Sequence, residues 1–217
     1  MALLVFDLNE TLLDLSGLDP VFEAVFGDRL VRAEWFDQVL VSALTLGATG
    51  GYRPFTEIAA SSLAKMRRIH GVAIGDAEVA QVAEALRQLP PHSEVPTALA
   101  RLRDAGHCLA VLTNSPPATL AAQLTNAGLD ELFLERLSVA DFGALKPAPA
   151  VYRGAAHRLG VEPAAMTMVA AHGWDLAGAV TAGCRTAFIA RPGQVPEDLV
   201  AEPDFEAPSL DALAERF

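Results

Sequence analysis

The chain has 217 residues, of which 52% are hydrophobic and 20% are charged, so it can bury a large core and is too apolar to be disordered. Its formal net charge of −11 at pH 7 argues against nucleic acids and anionic membrane surfaces as partners, because their phosphates would be repelled. No apolar run is long enough to span a membrane and no export signal is recognisable, so a cytoplasmic location is expected.

The chain opens with an apolar run that ends in Asp7-Leu8-Asn9-Glu10-Thr11. Such a run is typical of a buried parallel strand, and it delivers Asp7 to the carboxyl end of the sheet, where ligands bind in open α/β folds. Asp7 is therefore a candidate nucleophile, with Asn9 and Thr11 able to hydrogen-bond it. An Asp that merely caps the turn after the strand explains this segment equally well.

Residues 18–89 follow a helical spacing, in which apolar side chains recur at intervals of three and four residues, as at Phe22 and Phe26. The glycine-rich stretch 47–51 breaks two of these helices, and a proline pair closes the region. The pattern predicts about four helices and no strand, inserted after the first strand as a cap over residues 16–92. Its apolar stripes are interpreted as the core of that cap rather than as a ligand groove.

The remainder of the chain alternates helical and strand patterns, which implies a parallel sheet covered on both faces and joined by right-handed connections. Residues 1–15 and 93–217 are therefore predicted to form a Rossmann-like α/β core. Helices are predicted at 94–105, 117–127 and 149–159, and strands at 108–112, 166–170 and 186–190.

Two loops of this core carry polar residues of a catalytic type. Thr113 and Asn114 follow the second predicted strand, and free backbone N–H groups at the start of the next helix would complete an anion-binding pocket. A Ser115 that only caps that helix is the competing explanation. Lys146 stands before Pro147, which stiffens the backbone that carries the ammonium group.

A fourth segment, residues 169–179, is the most specific, because His172, Trp174 and Asp175 follow an apolar strand and precede a helix of small residues. Together the four segments resemble, in order and spacing, the motifs of the haloacid dehalogenase superfamily, whose cap is inserted where the helical region lies here. The resemblance covers essentially the whole chain.

Two positions distinguish branches of that superfamily. Its phosphatases carry an Asp two residues after the nucleophile as a general acid, and here that residue is Asn9. They bind magnesium through an Asp four residues before the position of Asp175, and here that residue is Ala171. An amide cannot supply the proton and a methyl group cannot bind magnesium. The chain therefore looks most similar to the type II L-2-haloacid dehalogenases, which are metal-independent.

The resemblance implies a hydrolase of short 2-haloalkanoates that uses neither a metal nor a cofactor. Asp7 would displace the halide and form an ester, which water would hydrolyse. Lys146 would balance the charge of Asp7, Asp175 would orient Lys146 or help to activate the water, and Thr11 would complete the catalytic set. The residues implied to contact the substrate or the halide are Asn9, Thr113, Asn114, Tyr152, His172 and Trp174.

The sequence departs from the dehalogenase pattern at three places. The halide-binding arginine of the cap normally follows a Trp, but Phe36 follows Trp35 here. A Ser and an Asn of the fourth segment are replaced by Ala170 and His172, and the Tyr that usually stands two residues after the nucleophile is Asn9. We hypothesise that His172 positions the water in place of the missing amide, or acts as a base near neutral pH; a partly exposed loop histidine is the alternative. The arginines available to replace the cap arginine are Arg32, Arg53, Arg67 and Arg68.

Two other functions stay open at this point. A phosphatase of the same fold is disfavoured by Asn9 and Ala171, whereas the missing cap arginine leaves room for a catalytically degenerate protein that binds a small molecule. Dehalogenases of this group are often dimeric, so the resemblance makes a homodimer an option that no residue demands. Cys108 and Cys184 lie in apolar runs and are interpreted as buried free thiols without a function.

Overall fold

A computed structural model describes residues 1–198 and 200–217 of the chain. Their centre is a parallel sheet of six strands in the order β3-β2-β1-β4-β5-β6. This order is that of doubly wound Rossmann sheets, so the predicted fold class is confirmed. The strands are β1 (Leu3–Phe6), β2 (Cys108–Thr113), β3 (Glu135–Ser138), β4 (Met166–Ala170), β5 (Arg185–Ile189) and β6 (Phe205–Ala207).

The described residues also form nine α-helices, several of which connect the parallel strands and cover the sheet, as parallel pairing requires. In that part of the chain, no helix is long and apolar enough to cross a membrane. The helices are α1 (Asp19–Phe26), α2 (Val31–Ala48), α3 (Phe55–His70), α4 (Asp76–Arg87), α5 (Val95–Asp104), α6 (Pro117–Asn126), α7 (Pro149–Arg158), α8 (Gly173–Ala182) and α9 (Leu210–Ala214).

Strand β1 lies in the middle of the sheet and decides where the site forms. Its last residue, Phe6, pairs with Val111 of β2 on one side and with Val169 of β4 on the other. The chain then places Asp7 between the ends of these two strands, and the Asp7 amide donates to the Val169 carbonyl at 2.9 Å. This is the point where the strand order reverses, which leaves a crevice in folds of this kind.

Helices α1 to α4 lie between β1 and α5 with no strand among them, as the helical spacing predicts. Their apolar faces pack around Trp35, which is 1% exposed. Its ring centre lies 5.2 Å from that of Phe22, and its indole N–H donates to the Ala59 carbonyl at 3.1 Å. The apolar stripes therefore form a core, and the division of the chain into a cap at 16–92 and a separate core domain stays a prediction.

Two strands and one helix were not predicted, namely β3, β6 and α9. Strand β3 has the sequence Glu-Arg-Leu-Ser, and β6 has only three residues. Both are the edge strands of the sheet, where one side of the strand has no neighbour and the apolar pattern is weak. Pairing with the neighbouring strand, rather than their own composition, makes these segments extended.

The two cysteines are free thiols. Cys184 is buried, and burial raises the pKa of its thiol to about 11, so it is unreactive at neutral pH. Cys108 begins β2 and is only partly buried, which differs from its prediction as a buried residue.

Candidate active site

Three charged side chains form a buried line at the carboxyl ends of the central strands. The Lys146 ammonium nitrogen lies 3.1 Å from Oδ1 of Asp7 and 2.9 Å from Oδ2 of Asp175. Asp7 follows β1, Lys146 lies in the loop before α7, and Asp175 lies in the first turn of α8, where the helix dipole favours a carboxylate. The side chains of Lys146 and Asp175 are fully buried, which a charge tolerates only when it is well paired.

The environment of each group fixes its protonation state. Burial alone would raise the pKa of Asp7, but the Lys146 and His172 charges, with hydrogen bonds, hold that pKa well below its usual range. Burial would likewise lower the pKa of Lys146, but Asp175 and Asp7 raise it above the ordinary value. Burial raises the pKa of Asp175, and Lys146 offsets that only in part. At neutral pH the site therefore presents an ionised Asp7 beside an ammonium group.

Thr11 and Arg191 hold the loop that carries Asp7. The Thr11 hydroxyl donates to Oδ2 of Asp7 at 2.8 Å and accepts from the Ala171 amide at 3.0 Å. Two nitrogens of the buried Arg191 guanidinium donate to the Thr11 carbonyl at 2.8 and 3.1 Å, and its third nitrogen pairs with Glu94 at 2.6 Å. Arg191 was not predicted as a site residue. It follows β5 closely, and the carboxyl ends of the strands are where other site residues also lie.

Tyr152 lies behind Asp175. The Tyr152 hydroxyl contacts the Asp175 carboxylate and lies 2.9 Å from the Asp175 carbonyl oxygen. Burial and the Asp175 charge raise the pKa of Tyr152 well above its ordinary value, so the hydroxyl keeps its proton and donates it to these oxygens. Tyr152 was predicted as a substrate contact, but its hydroxyl is engaged by Asp175.

Gly178 allows α8 to pack closely against the turn that carries Lys146. A methyl group at this position would overlap the Pro147 carbonyl oxygen and lie 2.7 Å from the Tyr152 ring. We expect Gly178→Ala to destabilise the protein by about 1–3 kcal/mol and to lower turnover, because backbone must move near Lys146. Thermal unfolding and initial rates check this.

The matched control for that substitution is Gly47→Ala, also within a helix, where a methyl group would meet no atom within 4 Å. It is expected to be neutral or to stabilise the helix by up to about 1 kcal/mol. Equal unfolding temperatures for the two variants would contradict the packing argument.

Asn114 connects the second and third loops, because its side-chain oxygen accepts from the Lys146 amide at 3.0 Å. Thr113 is buried, and its hydroxyl oxygen accepts from the Ser115 amide at 3.2 Å. The anion-binding pocket expected at the start of α6 has fewer donors than predicted. Pro116 and Pro117, which begin that helix, carry no N–H, and the Ser115 N–H is already bonded.

The amide of Asn9 faces neighbours within the protein. Its nitrogen donates to the Ser115 hydroxyl at 3.3 Å, and its oxygen accepts from the Gln123 side chain at 2.8 Å. The same Gln123 nitrogen also donates to the Leu86 carbonyl of α4, at 2.9 Å. Asn9 was predicted as a substrate contact, whereas the structure places it in a link between the loop after β1 and α6. Ser115 is likewise part of this link and does not cap α6, whose first flanking residue is Pro116.

His172 is buried beside Asp7 and is 3% exposed, so the alternative of a partly exposed loop histidine is wrong. Its Nε2 lies 2.7 Å from Oε2 of Glu10, and its Nδ1 lies 3.6 Å from Oδ2 of Asp7. Burial would lower the pKa of His172, but the close contact with Glu10 and the charges of Asp7 and Glu10 raise it to about 9. The ring is therefore an imidazolium at neutral pH in the free protein and cannot then act as a base.

Glu10 was not predicted as a site residue. Its backbone has φ of 65°, in the left-handed region that favours glycine. The family that the sequence resembles often carries Gly at this position. A Glu here is therefore a feature of the sequence from which Glu10 could have been predicted as a site residue. Strained conformations of this kind cluster at functional sites.

Aromatic rings cover His172. The Phe36 ring of α2 lies 6.1 Å from the His172 ring, and the Trp174 ring lies 5.3 Å from it. The indole nitrogen of Trp174 is buried without a hydrogen-bond partner among the described residues. Phe36 stands where the dehalogenase pattern has a cation. Its apolar ring thus contacts a histidine that carries a charge.

The four arginines considered as replacements for the cap arginine lie elsewhere. Arg32 pairs with Asp19 at 2.5 Å, and Arg67 donates to the Ile74 carbonyl at 3.4 Å. Arg53 and Arg68 are exposed. In residues 1–198 and 200–217, the ion pairs and hydrogen bonds of Asp7 involve Lys146, Thr11, His172 and Val169, and none of these arginines.

The residues present do not fit a magnesium ion of the phosphatase type. Ala171 offers no oxygen at the place of the second ligand, and the Lys146 ammonium already engages one oxygen each of Asp7 and Asp175. Within the described parts of the chain, no group of three or more His, Cys, Asp or Glu side chains is arranged to hold a metal ion.

A family model described as haloacid dehalogenase-like hydrolase matches residues 1–183. The chain is 31% identical to the (S)-2-haloacid dehalogenase of Pseudomonas sp. (strain YL) over 216 residues, which are 99% of this chain and 93% of the relative. It is 27% identical over 212 residues to haloacetate dehalogenase H-2 of Moraxella sp. (strain B), covering 97% and 95% of the two chains.

The solved structures agree with these relatives. The L-2-haloacid dehalogenase of Xanthobacter autotrophicus, solved with chloropropionic acid covalently bound, superimposes with a TM-score of 0.92 at 26% identity. The superposition covers 99% of this chain and 98% of that one, so it includes both the sheet and the four helices α1 to α4.

Proposed function

The chain belongs to the haloacid dehalogenase-like hydrolases, and from that premise we propose that it is an (S)-2-haloacid dehalogenase, which converts short 2-haloalkanoates into 2-hydroxyalkanoates. The observation that carries this proposal is the buried line of Asp7, Lys146 and Asp175 in a chain that matches such dehalogenases from end to end. A carboxylate kept ionised in a nearly closed site is suited to attack carbon.

In the first half of the reaction, an oxygen of Asp7 attacks the carbon that bears the halogen. The new carbon–oxygen bond forms as the carbon–halogen bond breaks, and the halide leaves with the bonding electrons. No proton has to be supplied, so the absence of an acid at Asn9 costs nothing in this step. Lys146 keeps Asp7 ionised, and the Thr11 hydrogen bond fixes the direction of its carboxylate.

In the second half, water hydrolyses the ester on Asp7, releases the hydroxy acid and restores the carboxylate. The net products are the alcohol, the halide and one proton. Lys146 lies against Oδ1 of Asp7, so its charge also stabilises the negative charge that grows on the ester group as water attacks. Asp175 and Tyr152 keep the ammonium in place.

The substrate carboxylate and the leaving halide need donors, and we assign these roles to a small set of side chains. The Trp174 indole N–H is a buried donor without a partner in the described part of the protein, which a bound anion would satisfy. Thr113 and the Asn114 side-chain nitrogen are the remaining donors of the second loop. Asn9 and Tyr152 support the site through their neighbours rather than through the substrate.

The two competing functions have less support than a dehalogenase, for a specific reason in each case. A phosphatase would need an acid at Asn9, but that amide is held by Ser115 and Gln123, and magnesium would need an oxygen at Ala171. A protein that only binds its ligand would not require an ionised Asp7 that three side chains hold in position. A cytoplasmic location and a homodimer remain predictions.

Halide release from L-2-chloropropionate and bromoacetate, measured in the presence of EDTA, tests the proposal. We expect turnover at the same rate with EDTA and with added magnesium, because no step uses a divalent cation. D-2-chloropropionate should react far more slowly, since the displacement at carbon needs one face of the substrate. Release that depends on magnesium, or magnesium-dependent hydrolysis of a phosphate ester in place of it, would overturn the assignment.

A further inference from the structure

The nucleophile loop and the start of α8 bring together a carboxylate and an imidazole that the reaction described so far does not use. Oε2 of Glu10 lies 2.7 Å from Nε2 of His172 and also accepts from the Gln194 side chain at 3.2 Å. A carboxylate oxygen can only accept here, so Nε2 carries the hydrogen and the ring orientation is set. When the ring is neutral, this contact keeps the hydrogen on Nε2 and leaves Nδ1 with a free lone pair.

The other ring nitrogen points into the site. Nδ1 of His172 is buried, lies 3.6 Å from Oδ2 of Asp7 and makes no hydrogen bond to any described residue. That separation is too long for a good hydrogen bond. It is short enough for a single water molecule to contact both Nδ1 and the Asp7 carboxyl group. An unpartnered nitrogen 3.6 Å from an oxygen of the carboxyl group that water must attack is placed as a catalytic base would be.

We propose that Glu10 and His172 form a catalytic dyad for the second half of the reaction, in which neutral His172 removes a proton from the water that attacks the ester of Asp7. His172 is the catalytic residue, and Glu10 is a positioning residue that acts through it. This inference rests on the proposed function, because the ester is its substrate.

Esterification itself would prepare the base. In the free protein, Asp7 and Glu10 are the two anions that raise the pKa of His172, to about 9, and the ring is protonated. Once Asp7 becomes a neutral ester, one of these charges is lost and the pKa of His172 falls, so the ring releases a proton to solvent. A proton of the water then moves to Nδ1 as the water oxygen forms its bond to the carboxyl carbon of Asp7. The bond from that carbon to the alkyl oxygen breaks next, and the alkyl oxygen leaves as the hydroxy acid with the proton from Nδ1. The second water proton, on the new Asp7 carboxyl group, passes to Nδ1, so the carboxylate and the charged ring are both restored.

The charged groups around His172 are few. Asp7 and Glu10 face it from the loop after β1, and Lys146 lies on the far oxygen of Asp7. Helix α2 presents the apolar ring of Phe36, and its neighbour Asp37 has a pKa raised by burial and by the Glu10 charge. Trp174 and Gln194, which also contact the dyad, are neutral. His92 lies with its Nε2 3.1 Å from the Glu10 carbonyl oxygen, and burial and the Arg191 charge lower the pKa of His92. Titration of His172 in the ester state is therefore governed mainly by Glu10.

The test separates the two half-reactions by rapid quenching and intact-protein mass spectrometry with L-2-chloropropionate. We expect His172→Gln to release one equivalent of chloride per protein and to accumulate the Asp7 adduct, whose decay slows by about 10²–10⁴-fold. The matched control is His157→Gln, an exposed histidine of α7, which should decay like the parent.

The pH dependence of adduct decay gives a readout that a structural role would not move. In the parent, decay should accelerate as pH rises through the pKa of His172 in the ester and then level off. Glu10→Gln removes the anion that keeps this pKa high, so the midpoint should move to lower pH while the plateau rate falls. A loss of rate with an unmoved midpoint would overturn the role of Glu10.

The remaining outcomes distinguish the failure of each idea. If the parent forms no adduct and releases no chloride, the proposed function fails and the dyad fails with it. If the adduct forms but decays equally fast in His172→Gln, only the dyad is overturned. If His172→Gln does not fold, adduct decay in the parent provides the test. A decay rate that stays constant or falls as pH rises from about 5 to about 9 excludes a histidine base.

Discussion

Asp7→Asn is expected to abolish dehalogenation, with turnover lowered by at least about 10⁴-fold and no covalent adduct formed. The amide has the size of the carboxylate, and its oxygen can still accept from Lys146 or Thr11. It lacks the charge that makes Asp7 a nucleophile. Halide release and intact-protein mass after incubation with L-2-chloropropionate measure the two effects, and circular dichroism checks that the variant is folded.

The exposed Asp104, which pairs with its neighbour Arg103, provides the matched control, because Asp104→Asn should retain full turnover. Residual adduct in Asp7→Asn would show that another side chain attacks the substrate. The same variant mimics the charge of the ester, so NMR titration should find the pKa of His172 below the value of about 9 that Asp7 and Glu10 give it in the parent.

Much of this site follows from the sequence because it is built at strand ends. The apolar runs that become β1, β2 and β4 are recognisable, and in a parallel sheet their carboxyl ends meet at one edge. Asp7 and the Thr113 loop therefore had to lie close together. Lys146 is indicated as a site residue by its position in the order of the four motifs and not by any local pattern, since a Lys-Pro turn alone does not indicate burial.

The remainder depends on contacts between segments far apart in the chain. Glu10 and His172 are 162 positions apart and meet only because β1 and β4 are neighbours in the sheet. Tyr152 and Asn9 were placed on the substrate because a resemblance describes which residues occur, not which neighbour each hydrogen-bonds. Phe36 shows the same limit: its replacement of an arginine is visible in the sequence, but the contact of its ring with a charged His172 is not.

Lys146→Met is expected to have the largest combined effect on stability and turnover. Methionine fills a similar volume but leaves the Asp7 and Asp175 carboxylates facing each other without the cation that now lies between them. Removing one partner of a buried ion pair costs about 3–5 kcal/mol. Turnover should also be lost, because without Lys146 the pKa of Asp7 rises and a protonated carboxyl group is not a nucleophile.

The cost should depend on pH in a direction that can be worked out. In the parent, the folded pKa of Asp7 is depressed, so its contribution to stability is present above its unfolded pKa and is lost only as pH falls through the lower folded value. In Lys146→Met, burial and mutual repulsion raise the folded pKa of at least one carboxyl group. The variant is then penalised above that pKa and recovers as pH falls, so its loss of stability should be larger at about pH 8 than at about pH 5.

Urea denaturation at the two pH values measures this difference, and the chain offers a matched control. Lys65 is the other lysine, is exposed and donates through its ammonium group to Ser42, so Lys65→Met should change the free energy of unfolding by less than about 0.5 kcal/mol. Adding Asp175→Asn to Lys146→Met should restore part of the stability but none of the turnover, because it removes one of the two carboxylates that faced the ammonium group and leaves Asp7 without that group. A loss of stability in Lys146→Met that does not change with pH, or that the second substitution deepens, would show that the ammonium acts through packing rather than through charge.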